Sequence, residues 1–421
     1  MKRILILAAT TGYQTRVFEE AARSLGFEPV MATDRCRHLE DPWGDGAAAV
    51  RFHQPEAGLE SLARLEPPPD GVIAAGDKPA ELAALVAQHF GLRYHPPNAV
   101  AACRSKHRTR ELFDAAGLLV PDYFLLPVHN AMLGEAIRSV NFPCVLKPLG
   151  LSASRGVIRA DDEPAFYAAF ERIAAILAHH DIARLHENRD TFIQVEDYIP
   201  GREFALEGLV IDGHLKTLAI FDKPDALEGP FFEETIYVTP SREPADVQHA
   251  IRGTAQQAVT ALGLTNGPVH AEMRVNERGV WMLEVGARPI GGLCAQSLRF
   301  GPHGEVPLEQ LLIRFAVGED VSKLEREPAA SGVMMIPVPA TGVFSRVLGV
   351  DEARQIPGIT GVEITAKEGQ RLVQLPEGSS YPGFLFARAE TPQETEAALR
   401  DAHKRLRFEI YAELPALRPG A

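Results

Sequence analysis

The sequence predicts a mixed α/β and α+β protein of three units, over residues 1–97, 98–320 and 321–421. Three observations predict it. Up to about residue 95, short apolar strands alternate with longer amphipathic helices, the pattern of a doubly wound parallel sheet covered on both faces. Between 191 and 320 strands dominate around a single helix. The last stretch begins with a strand and ends in a well-capped helix, an α+β arrangement.

Taken in order, Arg3 to Ala8 is a first buried strand, and Thr10-Thr11-Gly12-Tyr13 turns into a helix with the stripe Phe18, Ala21, Ala22 and Leu25, closed by Gly26. Pro29 to Thr33 is the second strand. Gly71 to Ala75 is a later one, after which Gly76-Asp77 opens a helix running to Gly91. No Gly-x-Gly-x-x-Gly joins strand one to its helix, so a dinucleotide is not supported, although Asp34 ends strand two where a ribose-binding acid would stand. Gly44-Asp45-Gly46 does not replace it, because no strand precedes it. Past residue 98 a polar helix runs from Ser105 to Gly117 and is stopped by Pro121. Phe142 to Pro148 is a strand with a proline at each end, suited to an edge or a strand end. The loop Gly150-Leu151-Ser152-Ala153-Ser154-Arg155-Gly156 is too small and polar to pack. Asp162 caps a helix from about 163 to 179, with Pro164 in its first turn. Strands follow at 191–196, 203–211, 215–221, 269–275 and 280–285, with a helix near 243–262 closed by Gly263. Val333 to Pro337 opens the tail, and Thr391-Pro392-Gln393-Glu394 caps its helix.

The 56 acidic and 43 basic side chains give a net charge of −13, and no Lys/Arg block stands out, so nucleic acid and anionic membranes are excluded as expected partners. No apolar run reaches the roughly 20 residues of a spanning helix. The opening Lys2 to Ala8 is too short for the apolar core of a signal peptide. Cys36, Cys103, Cys144 and Cys294 lie far apart with no Cys-x-x-Cys, so reduced thiols and a cytoplasmic location are expected. Small ligands remain as partners.

Alternation along Val269 to Arg274 puts His270, Glu272 and Arg274 on one strand face. A hairpin around Asn276-Glu277-Arg278-Gly279 would bring Glu284 beside Glu272, with Arg288 just beyond. Facing carboxylates repel unless a cation sits between them. The apolar neighbours Met273, Trp281, Met282, Leu283 and Val285 favour a deep metal site over a solvated sheet face, and oxygen-only ligands point to magnesium rather than zinc. Magnesium with few protein ligands commonly shares its ion with phosphates. The P-loop is absent; what remains is Lys147 at a strand end, followed by the loop 150–156, whose N–H groups and hydroxyls can wrap phosphate oxygens.

The ordered set of Lys106, Lys147 with the loop to Gly156, Val195-Glu196-Asp197-Tyr198-Ile199-Pro200-Gly201-Arg202-Glu203, Glu272, and Glu284-x-x-x-Arg288 resembles the ATP-grasp superfamily. The resemblance is closest to its carboxylate-amine ligases, including L-amino acid ligases, and covers about residues 100–320. The first unit resembles the domain preceding ATP-grasp modules, and the tail the extra carboxy-terminal domain of amino acid ligases. The resemblance implies a two-lobed module, with a lid subdomain at about 140–190, using ATP with magnesium, or manganese in its place. It implies that Lys106 and Lys147 contact ATP phosphates, that Ser152, Ser154 and Gly156 belong to the lid loop, and that Glu196, Asp197 and Ile199 form the hinge that reads adenine through backbone groups. Glu203 would take the ribose hydroxyls, and Lys216 or Lys223 a further phosphate, solvated side chains being the alternative. Glu272 and Glu284 would be the metal ligands, with Arg288 and Lys147 catalytic. Glu233 or Glu234 would hold a substrate ammonium unless they form a lid surface, and His270 and Arg288 would face the substrate.

One departure stands out, since the family's second metal motif often reads Glu-x-Asn and here the position is Gly286. The expected function is an ATP-dependent ligase forming an amide from a small carboxylate and a small amine through an acyl phosphate, a homodimer being the assembly considered. The rivals are a biotin-carboxylase-like enzyme, which lacks a recognisable biotin carrier here, a purine-pathway ligase, which lacks a recognisable phosphoribosyl site, and a non-catalytic nucleotide-binding module.

Overall fold

The computed structural model describes residues 1–9, 13–34, 47–129, 133–183 and 191–413. The expected turn at Thr10 to Gly12, Cys36 and the stretch Gly44 to Gly46 lie outside the described residues. In the first unit β1 (Arg3–Ala8), β2 (Glu28–Thr33), β3 (Ala48–Ala49) and β4 (Gly71–Ala75) form a parallel sheet in the order β3-β2-β1-β4. The period of two along β1 sends Leu5 and Leu7 into one core with Leu82 and Val86 of helix Asp77–Phe90. Ile4, Ile6 and Ala8 go to the opposite core with Phe18 and Ala22 of helix Thr15–Ser24. Each of the larger side chains gains about 1.5–3 kcal/mol from such burial. The second face also receives helix Leu308–Ala316 from further along the chain. Gly71 permits that approach, because a Cβ there would stand 2.9 Å from the Ala316 backbone.

A second, antiparallel sheet forms a small lobe from β5 (Tyr123–Pro127), β6 (Cys144–Pro148), β7 (Ile158–Ala160) and β8 (Phe192–Asp197), in the order β5-β8-β6-β7. Helix Glu163–Leu177, capped by the Asp162 side chain, backs it through Phe166, Phe170 and Ile173. Both β6 and β8 are inner strands. The prolines of the 142–148 segment therefore sit at a strand end, not an edge.

The large sheet starts with β9 (Arg202–Ile211), β10 (His214–Asp222), β11 (Ile236–Thr239), β12 (Gly267–Asn276) and β13 (Gly279–Gly286). After the short ladder of β14 (Arg299–Phe300) with β15 (Val306–Pro307) come β16 (Ala330–Met335), β17 (Gly342–Leu348), β18 (Ile359–Ile364), β19 (Arg371–Leu372), β20 (Gly383–Ala389) and β21 (Arg407–Tyr411). The tail is α+β, as expected, but its strands extend the central sheet, which runs β13-β12-β9-β10-β11-β16-β20-β18. Only β19-β17-β21 form a sheet of the tail's own among the described residues. Helix Pro392–His403 starts with the expected capping box at Thr391 and Glu394.

Candidate active site

The hairpin β12–β13 pairs Glu272 with Glu284, and the register slips by one residue between Glu272 and Met273. In an unbroken strand, neighbouring side chains point to opposite faces. The bulge relaxes that rule, and the successive residues Leu283 and Glu284 both line one cavity of about 380 Å³, together with His270, Glu272 and Arg274 of β12.

Lys147 enters the same cavity from β6 of the small lobe. Its ammonium donates to Glu196 of β8, whose carboxylate is buried and also takes Arg110 Nε at 2.9 Å, Arg110 Nη2 at 3.2 Å and Gln194 Nε2 at 2.6 Å. Burial raises the Glu196 carboxyl's pKa, but Arg110 and Lys147 outweigh it and pull the value down to about 2. Burial in turn depresses the Lys147 ammonium despite Glu196. The Glu196 side chain thus aims a lysine. At the expected hinge 196–199, β5 flanks β8 up to Glu196 and β6 flanks it up to Asp197. Asp197 N–H donates to Asp122 O and Tyr198 N–H to Pro143 O, while the Asp197 side chain accepts from Asn141. The Ile199 carbonyl accepts from Arg274. Sequence reasoning missed Arg110. Its signal was there, three residues before the buried Phe113 on one helix face.

Three carboxylates, from Glu203, Glu234 and Glu272, place oxygens within 4.8 Å of one another. The Lys223 ammonium stands among them, bonded to Glu203 at 2.8 Å and to Glu234, and 3.6 Å from Glu272. The phosphate contact expected of Lys223 is therefore corrected: its side chain is a caged strut, absent from the cavity lining. Lys216 lies elsewhere, tied to Leu324 O at 2.9 Å and to Glu325. Glu203 has both oxygens held, one by Lys223 and one by Arg274 Nε at 2.9 Å, so a ribose would have to share them. Burial works against its charge, yet the two cations hold its carboxyl below the usual range. Glu272 goes the other way: burial raises it, and its carboxylate neighbours add to the rise against Lys223. Glu284 is outside the three-carboxylate group and stands 4.0 Å from the Lys106 ammonium. Of the two adjacent acids after Phe232, only Glu234 lines the cavity; Glu233 is bonded to the Val338 backbone. His270 Nδ1 is 3.1 Å from the fully buried Glu207, which also accepts from Ile290 N–H, and its Nε2 is 3.4 Å from Glu272.

The loop 150–156 places Ser152 and Ser154 on the cavity, and Lys106 donates to Leu151 O at 2.7 Å. Ala153 and Ser154 both have φ of 55°. Such non-glycine conformations cost about 1–3 kcal/mol each and recur at ligand clamps. Gly156, expected on phosphates, instead sends its N–H to Pro376 O at 2.9 Å.

Arg288 makes a two-point pair with Asp77, Nε to Oδ1 at 2.9 Å and Nη2 to Oδ2 at 3.2 Å. Asp77 begins the helix after β4, so the first unit reaches the site from a strand's carboxyl end. Burial opposes its charge, and Arg288 still holds its carboxyl below the usual value. Gly286 makes room for this arginine, because a Cβ there would lie 3.3 Å from Arg288 Nε. Asp77 was read only as a helix start. An acid directly after a strand-end glycine was the available signal.

Residues 140–297, from the start of β6 through the hairpin and its arginine, match the ATP-grasp domain family. The chain belongs to the ATP-grasp superfamily. Residues 334–411 match the family called L-amino acid ligase C-terminal domain 2. With both matched, the chain is an ATP-grasp ligase of the carboxylate-amine kind, a carbon–nitrogen bond-forming enzyme. Among curated relatives, the uncharacterized protein y4rH of Sinorhizobium fredii is 24% identical over 97% of this chain and 84% of its own length. Dapdiamide A synthase of Enterobacter agglomerans is 30% identical over 46% of this chain and 44% of its own. The crystal structure of an L-amino acid ligase from Bacillus licheniformis covers 98% of this chain and 99% of its own, with a TM-score of 0.79 at 24% identity, a likeness of fold. The ATP-grasp match contains Lys147, Glu196, Glu272, Glu284 and Arg288. Asp77, Tyr13 and Tyr381, which also line the cavity, lie on either side of it. No described helix of this ATP-grasp chain is long and apolar enough to cross a membrane.

Proposed function

We propose that this ligase uses ATP to activate a small carboxylate and joins it to an amine, at least one of the two being an amino acid, with ADP and orthophosphate as the other products. The observation that carries this reading is the convergence of Lys147 from the small lobe, Glu272 and Glu284 from the hairpin, and the Asp77-anchored Arg288 on one cavity. Lys106, Lys147, Ser152 and Ser154 would hold the phosphates, and the segment beyond Asp197 with Glu203 the nucleoside. In the reaction a carboxylate oxygen attacks the γ-phosphorus and the bond to ADP breaks. The amine then attacks the acyl carbon, the carbon–oxygen bond to phosphate breaks, and the proton lost from nitrogen leaves with the phosphate or to solvent. No side-chain nucleophile is needed; the protein aligns the groups and offsets charge.

Glu272 and Glu284 fit a magnesium ion, being oxygen donors paired across two strands, and the ion would supply charge neutralisation on the phosphates. Arg288 is held by Asp77 at one edge and would meet the phosphoryl group as it moves, so its stabilisation grows toward the transition state. Beyond the phosphate-binding residues the cavity is walled by Tyr13, Tyr237, Tyr381, Ile290, Cys294 and Met335, a largely apolar end suited to an amino acid side chain. The test is incubation with ATP, magnesium and pooled amino acids, followed by mass spectrometry. ADP with an amide product is expected; AMP would overturn the mechanism, and ADP without an amide would overturn the amine partner.

A further inference from the structure

The tail does more than extend the sheet. Its segment 376–381 runs from the small lobe to the first unit along the wall of the cavity. At one end Pro376 O accepts from Gly156 N–H at 2.9 Å, and Glu377 O accepts from Arg155 Nε at 2.9 Å. The Glu377 carboxylate takes both arms of Arg172, at 2.6 and 2.9 Å, and Arg172 belongs to the helix that backs the small lobe. Ser379 and Tyr381 line the cavity. At the other end Tyr381 N–H donates to the Tyr13 hydroxyl at 3.1 Å. One short segment therefore touches the glycine and serine loop, the reaction cavity and the first unit in turn.

We propose that residues 376–381 are a strap that holds loop 150–156 over the reacting phosphate, and that Glu377 is its positioning residue. The proposal rests on the ligase reading above. An acyl phosphate has two fates: an amine takes the acyl group, or water adds to the acyl carbon, the carbon–oxygen bond to phosphate breaks, and the carboxylate is regenerated. The second route spends one ATP and one water for ADP and phosphate with no amide. A loop held down excludes that water. The strap gives only main-chain atoms to its bonds with Gly156, Arg155 and Tyr13, whereas the two-point pair with Arg172 uses the Glu377 side chain.

The test compares the wild-type chain with Glu377→Gln, with Arg172→Glu, and with the reversed pair Arg172→Glu/Glu377→Arg. The ratio of ADP released to amide formed is expected to rise about two- to fivefold in each single variant, the range an exposed but two-point ion pair supplies, and to return toward wild type in the reversed pair. Raising the salt concentration should lift the ratio in the wild type and leave Glu377→Gln unmoved. A merely structural pair would shift melting without shifting this ratio. Hydrogen exchange across 150–156 with ATP and magnesium is read in the same proteins and needs no turnover; faster exchange in Glu377→Gln is expected. Equal exchange, or an unchanged ratio in a variant that still makes amide, overturns the strap. Faster exchange in a chain that makes no amide at all supports the strap and removes the ligase reading instead.

Discussion

At the level of single residues, four of the acids that line the cavity are each answered differently by the cations around them. Glu203 is neutralised twice and Glu234 shares Lys223, while Glu272 carries surplus repulsion and Glu284 has Lys106 at 4.0 Å and the charge of Arg288 nearby. Glu272→Gln and Glu284→Gln are therefore expected to lose magnesium-dependent ADP release while melting at or above the wild-type temperature, because an amide weakens a hard-ion site and removes repulsion from the unliganded pair. Activity at low magnesium together with a melt decides it; near-wild-type turnover in both variants would count against the metal role. Arg288→Ala should bind ATP almost normally and lose turnover about 10²–10³-fold, the scale for removing one transition-state charge partner. Asp77→Asn, which keeps the arginine but loosens it, should lose less, on the order of tenfold. Equal losses in the two variants would mean that Asp77 touches substrate itself. The hairpin carboxylates were legible in the sequence because alternation and a four-residue turn are local. The partnership of residues 77 and 288 was not, since nothing along the chain marks a pair formed by tertiary packing.

The elements that carry these residues are locked together at Arg110. From helix Lys106–Ala115 it reaches Glu196 on β8 and donates to Met282 O and Leu283 O on β13, joining the small lobe to the bulged hairpin. Removing one partner of such a buried pair leaves the other charge stranded, so Arg110→Ala is expected to cost about 3–5 kcal/mol in urea unfolding, more than Arg346→Ala, whose pair with Glu409 is exposed. The pH dependence follows from the sign of the Glu196 shift. Its folded carboxyl, near 2, lies below the usual 4.5, so its stabilisation is present in full above pH 4.5 and is withdrawn as the pH falls toward 2. An acid-unfolding profile of Glu196→Gln lacking this component is the check. Helix starts at Asp162 and Thr391 were readable because caps are set by neighbours in sequence. The inner position of β8 was not, because strand order is decided by pairings far apart along the chain.

For the whole molecule, the decisive fact is that the central sheet does not stop where the ATP-grasp match does. β11 pairs with β16, and β20 and β18 follow. A chain ending at residue 320 would leave β11 with an unpaired edge and strip Val333, Met335, Phe384 and Phe386 from the core that also holds Ile4, Ile6 and Phe18. It is expected to be insoluble or to bind dye as a partly folded species; a soluble, cooperatively melting 1–320 fragment would show that the tail is dispensable for folding. The same sheet has a consequence for synthesis on the ribosome. The first unit contains β1 to β4, all made within the first 75 residues, but the central sheet needs β20, finished only at Ala389. A nascent chain would thus carry Lys147, Glu272 and Arg288 for more than 90 residues of translation before the last inner strand arrives to complete their scaffold. Premature termination anywhere in that interval, even well past the last of those side chains, would yield no working enzyme.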